Sequence, residues 1–126
     1  MKKPRLVSAA IIVNNNSVLL VKNQKIGKWG LPGGIEAWKQ TSDPFEAVIL
    51  EVQGDIDCIF TGKFHTINYS CHPDPTLTLF YEGTISENPR LVCKNIVDCS
   101  YFTFSDILKM DLAYDHNLVL KRYIKN

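Results

Sequence analysis

This chain of 126 residues has no strong excess of charge: 14 Lys and Arg stand against 13 Asp and Glu, a formal net charge of +1. No field of one sign is present to hold bulk nucleic acid or an anionic membrane, so neither is expected as a partner. An apolar run of bilayer-spanning length is also missing. The basic start, Met1-Lys2-Lys3-Pro4-Arg5, leads into Leu6 to Val13, which is short, β-rich and lacks a cleavage site. It reads as a strand and not as a signal peptide. The four cysteines, Cys58, Cys71, Cys93 and Cys99, form no C-x-x-C pair and fit no zinc spacing. They are expected to be buried thiols of a cytoplasmic protein. Repeats, low-complexity tracts and linkers are missing too, and the length suits a single domain over 1–126 with one core.

What is present is a run of short β segments around one long amphipathic stretch. Leu6 to Val13 and Ser17 to Val21 are strands joined at Asn14-Asn15-Asn16, because Asn tolerates left-handed turn geometry. Gln24 to Lys28 is a polar loop. Asp43 is a good N-cap, Pro44 suits the first helical position, and Glu46 completes a capping-box pattern. Phe45, Val48, Ile49, Val52 and Ile56 then recur at helical spacing. Gly54 interrupts that helix, and Ile56-Asp57-Cys58-Ile59-Phe60 reads as an entering strand. The helix is therefore expected to end near Gln53 to Asp55. Cys58 to Ser70 is strand with breaks, and His72-Pro73-Asp74-Pro75 is a loop. Thr76 to Ile85 and Ile96 to Phe104 are strands, Ser105 or Asp106 caps a short helix, and Asp115 to Ile124 is the last helix. The fold class expected is α/β, a mixed sheet sandwiched between helices.

Two features carry chemistry. Trp29-Gly30-Leu31-Pro32-Gly33-Gly34 is a tight Pro-Gly-Gly turn that leads by a short loop into the long helix. The helix carries Glu51 and Asp55, which share a face at i and i+4 if it stays intact. This loop and helix resemble the box of the Nudix family, G-x5-E-x7-R-E-U-x-E-E-x-G-U with U aliphatic. The resemblance extends to the C-terminal part, where Asn95-Ile96, Tyr101-Phe102 and Asp106-Ile107-Leu108 look like family segments. Leu112-Ala113-Tyr114-Asp115-His116 resembles a tail of the ADP-ribose pyrophosphatase-like branch.

The resemblance implies the Nudix fold and cleavage of nucleoside diphosphates linked to another moiety, with helix carboxylates holding magnesium. Hard oxygen ligands are what such an ion needs. Gly34, Glu51 and Val52 match the box, and Asp55 is a shortened match. Gln40, Leu50 and Gly54 stand where the pattern has Glu, Arg and Glu, and Asn95 where many members are acidic. Gln is neutral, and Leu cannot hold a carboxylate in an ion pair. The expectation is a nucleotide-like ligand with hydrolysis weak or lost, or a non-catalytic binding or sensor module. Glu51 and Asp55 would be the catalytic and metal residues, with Mg2+ weakly bound. Gly33, Gly34, Trp38, Gln40 and His116 would be substrate-binding, and a homodimer stays open. Trp38 sits in a loop two residues longer than the pattern and is expected at a rim or contact surface. Trp29 is expected to pack into the core. Lys22, Lys25 and Lys28 are read as a solvated loop that could meet phosphates.

Overall fold

The computed structural model describes residues 3–71 and 74–125; the loop residues His72 and Pro73 lie outside them. Strands β1 (Arg5–Asn14) and β2 (Ser17–Asn23) form a hairpin, with Asn15 in the left-handed region at its tip. Two short strands follow in the box loop, β3 (Trp29–Gly30) and β4 (Gly33–Gly34), which periodicity alone does not reveal. A 3-10 turn, Glu36–Lys39, leads to helix α1 (Pro44–Ile56). Then come β5 (Phe60–Ser70), β6 (Thr76–Ile85), β7 (Ile96–Thr103), α2 (Phe104–Ile107) and α3 (His116–Lys125).

The seven strands make one mixed sheet. β1 lies at its centre, parallel to β6 and antiparallel to β2 and β4, and β5 extends the sheet beyond β6. A central strand is covered on both faces, which is why Ala9 to Ile12 is continuously apolar and not alternating. Ala10 and Ile12, with Leu19 and Val21 of β2, pack against Val48, Val52 and Ile56 of α1. Ala9 and Ile11, with Val18 and Leu20, pack on the other face with Ile107, Val119 and Leu120. Trp29 joins this second cluster, its ring 4.8 Å from that of Phe102. The expected layering of helix, mixed sheet and helix is what forms.

Four local expectations are corrected. First, α1 does not stop near Gln53 to Asp55; it runs to Ile56 and closes on Asp57, which adopts φ 57° and donates its N–H to the Gln53 carbonyl. Gly54 costs a helix interior about 1 kcal/mol, less than the ~1.5–3 kcal/mol from burying an aliphatic side chain such as Ile56. Ile56 is wholly buried, so packing overrides local propensity. Second, the capping box does not close. Asp43 accepts from the Phe45 N–H, and the Asp43 N–H donates to Thr41 Oγ1 instead of Glu46. Third, α2 is capped by Thr103, whose hydroxyl accepts from the Asp106 N–H. Fourth, only Cys58 is buried. Cys93 and Cys99 are half-buried and Cys71 is exposed, although all four are free. Among the described residues no helix is long and apolar enough to cross a membrane.

Candidate functional site

The box loop passes over the end of α1 and is tied to it by carboxylates. Gly33 sits against Ala9 and Gly34 against Ser8, in β4's pairing with β1. The Gly33 N–H donates to Asp55 Oδ2 at 3.0 Å, and the Ala37 N–H donates to Glu51 Oε1 at 2.7 Å. Gly34 leaves space that Glu51 fills: a β-carbon there would lie 2.6 Å from Glu51 Oε2. Since α1 is unbroken, Asp55 is not carried off the face of Glu51, and both carboxylates line one cavity.

That cavity measures about 390 Å³, within the range of small-molecule sites. Its wall runs from Gly33, Gly34, Glu51 and Asp55, past Arg5, Lys28 and Asn95, to Asn68, Tyr114, Asp115 and His116. Of the residues singled out from the sequence, Gly33, Gly34, Glu51, Asp55 and His116 converge here. Trp38 and Gln40 do not line it. Trp38 is half-buried in the 3-10 turn with its indole N–H buried and unpartnered, and Gln40 is exposed just beyond. Lys28 reaches the cavity and pairs with Asp111 at 3.0 Å, while Lys22 and Lys25 do not line it. Asn68, Tyr114 and Asp115 were not singled out. The tail motif was the available signal for the last two, and Asn68 had none.

The electrostatics of the wall are set by burial. Burial pushes Asp55 up to about 7, against the Gly33 hydrogen bond that favours its ionised form, and the neighbouring Glu51 charge adds to the rise. Glu51 is raised for the same first reason, offset by the Ala37 amide. Burial lowers His116 to about 4, so its imidazole is neutral. The Leu31 N–H donates to His116 Nδ1 at 3.0 Å, which places the ring proton on Nε2.

These shifts oppose one another in stability. Between pH ~4 and ~7 the folded chain holds the Asp55 proton that the unfolded chain has lost, so this carboxyl lowers stability as pH rises. Between pH ~4 and ~6.5 the unfolded chain binds the His116 proton that the folded chain refuses, so this imidazole raises stability as pH rises, by about 3 kcal/mol for a shift of that size. Asp55→Asn keeps an oxygen for Gly33 and removes the first effect. In chelator, the variant should gain more stability than the parent chain from pH 4 to 6.5, and should exceed the parent at pH 8. Urea titrations across this range check it; parallel curves would contradict it.

As a metal site the donor set is thin. Among the described residues no three His, Cys, Asp or Glu side chains come together as ligands. Glu51 and Asp55 are hard donors suited to magnesium, but each also accepts a loop amide. The pair fits a weakly held hydrated ion and not a tight one.

No protein-family model matches the sequence, and no curated protein does. Solved structures do match. A MutT NUDIX hydrolase from Burkholderia pseudomallei is 23% identical, with TM-score 0.81 over 95% of this chain and 98% of its own. The NUDIX domain of Shewanella oneidensis NrtR, crystallised with ADP ribose, is 20% identical, with TM-score 0.80 over 99% and 89%. A bifunctional NMN adenylyltransferase/ADP ribose pyrophosphatase from Francisella tularensis is 14% identical, with TM-score 0.82 over 100% of this chain and 42% of its own. Identities this low speak for architecture. Taken with the mixed sheet held between α1 and α3, they show that the chain has the Nudix fold of the MutT type.

Proposed function

We propose that this chain recognises a nucleoside diphosphate-linked compound in the cavity beside Glu51 and Asp55, with pyrophosphate hydrolysis weak or lost. The observation that carries the reading is the composition of one continuous wall. A carboxylate pair under the Gly33-Gly34 turn occupies one end, Arg5 and Lys28 supply cations for phosphate, and a polar and aromatic set occupies the other end. Two Nudix-fold neighbours support this class of ligand, being described with ADP ribose. Glu51 would be the principal metal ligand and base, with Asp55 assisting. Gly33, Gly34 and His116 would meet the ligand. Trp38 and Gln40, outside the lining, are left without a ligand role.

Weak hydrolysis follows from the chemistry of the donors. Phosphate transfer to water needs charge neutralised at the metal and the phosphate oxygens. Gly54 and Asn95 supply no charge, and both carboxylates are partly committed to loop amides. Those amide contacts also favour the alternative, a binding or sensor module that uses the carboxylates to shape the loop. Four free cysteines support a cytoplasmic setting. Melting curves with a panel of nucleoside diphosphate compounds test recognition. ADP-ribose at ~100 times its Kd should add about 2.7 kcal/mol of stability, a rise of several degrees. A panel in which no member moves the transition would reject the reading.

A further inference from the structure

One face of the sheet is only half covered. Helix α1 packs over Ala10 and Ile12, together with Phe60 and Tyr81. Toward the start of β1 the same face is open. There the register sets Leu6 beside Leu77, Leu77 beside Tyr69, and Leu79 beside Ile67. Directly paired residues share a face, and Leu6 stands an even number of positions from Ala10, so this set lies on the side that α1 occupies. Phe64 continues it beside Tyr81, their rings 5.7 Å apart. Tyr69 is 59% exposed, Ile67 and Phe64 are each 51% exposed, and Leu6 is 40% exposed. Leu77 and Leu79 between them are half-buried.

Charge is distributed as it would be around an interior face. The charged residues of β1, β5 and β6 are Arg5, Lys63 and Glu82. Arg5 lines the cavity on the reverse side, and Lys63 pairs with Glu82 at 3.6 Å, also on the reverse side by alternation from Phe64 and Tyr81. No charged side chain of these strands stands among the exposed apolar ones. Single exposed apolar residues are ordinary, but this set is contiguous across three strands. The two aromatic rings leave about 100 Å² each open, and with Leu6 and Ile67 the patch reaches about 400 Å².

We infer that a second copy of the chain packs on this face, sheet against sheet about a two-fold axis, with Leu6, Phe64, Ile67, Tyr69 and Leu77 meeting their counterparts. The occupant must itself be apolar and uncharged, because the face holds no charge to match one. The chain's own patch meets that demand, and a two-fold axis presents it to itself. Two patches and their rims bring the buried area to about 1,200 Å², where stable interfaces begin. A lipid surface does not fit. β5 ends the sheet, with β6 its one strand neighbour among the described residues, so its outward backbone groups need hydrogen bonds that hydrocarbon cannot give. In a sandwich that edge stays at the wet rim. A helix is about 10–12 Å across and packed sheets lie about 10 Å apart, so the second sheet sits level with α1. The second copy also backs the cavity, since Asn68, between Ile67 and Tyr69, and Thr78, between Leu77 and Leu79, line it from the other side.

Sedimentation of the full chain from micromolar to near-millimolar concentration tests this. The parent should pass from 14.3 kDa to twice that mass, and its melting temperature should rise with concentration. Ile67→Lys places a charge in the middle of the packed face and should weaken association by ~10-fold or more. Its circular dichroism should match the parent, because the position is open in a single copy. Should it fail to fold, Tyr69→Ser, which removes an exposed ring and adds no charge, should weaken association in the same sense. Leu118→Lys changes an exposed apolar residue of α3, across the sheet, and should associate as the parent does. A parent that stays a single chain at every concentration overturns the inference and leaves the face to another partner. A dimer that survives Ile67→Lys and Tyr69→Ser, or is lost with Leu118→Lys, has its interface elsewhere and overturns it too.

Discussion

Gly33→Ala should cost this protein about 3 kcal/mol or more of stability, the scale of a severe core substitution. Gly33 lies flat against the central strand, in register with Ala9. A β-carbon there would fall on the Ser8 carbonyl oxygen and 2.7 Å from the Ala9 α-carbon. These are backbone atoms, so no rotamer change relieves the clash. β1 cannot retreat, because β6 is bonded beside it and both cores pack on Ala9 to Ile12. The loop must lift instead, breaking the Gly33 bond to Asp55 and the pairing of β4. Raising the loop would also strip the carboxylate end of the cavity, so ligand binding should fall with stability. Urea unfolding of the variant checks this; a midpoint matching that of the parent would show that the loop tolerates a side chain.

Gly54→Glu should act in the opposite sense, raising magnesium-dependent hydrolysis of ADP-ribose by ~10-fold or more, because a metal's charge stabilisation is worth several kcal/mol when the ion is held. Position 54 follows Glu51 by three residues on an unbroken helix and so neighbours it on the surface. A β-carbon there meets nothing within 4 Å. The substitution supplies a third hard ligand where two are present, and replacing a helical glycine offsets the added charge repulsion by about 1 kcal/mol. Product release by chromatography gives the rate. Combining Gly54→Glu with Glu51→Gln should return it to the parent level, with the melting curve intact. A folded Gly54→Glu variant with no gain would mean that carboxylate number does not limit the chemistry.

The frame of this fold was legible because its signals are local. Asn-rich turn chemistry marks the first hairpin, Pro44 after Asp43 marks the helix start, and the apolar stripe from Phe45 to Ile56 marks the buried face. The helix end was misread because the local signal, Gly54, conflicts with a tertiary one, the burial of Ile56 under the sheet. The carboxylate end of the cavity was legible through the box. The far end was legible only through His116 and the tail motif around it, since its bonds join residues far apart: Leu31 with His116 across 85 positions and Asn68 with Asp115 across 47. Cys71, just after β5, is exposed and departs from the burial usual for cysteine.

Titration calorimetry of ADP-ribose into the parent chain with magnesium present is the most direct trial of recognition without efficient hydrolysis. A saturable binding heat should appear, with no sustained heat of turnover after each injection. Continuous heat corresponding to ~1 turnover per second or more, the ordinary enzyme range, would contradict weak hydrolysis, and the absence of any saturable heat would contradict recognition.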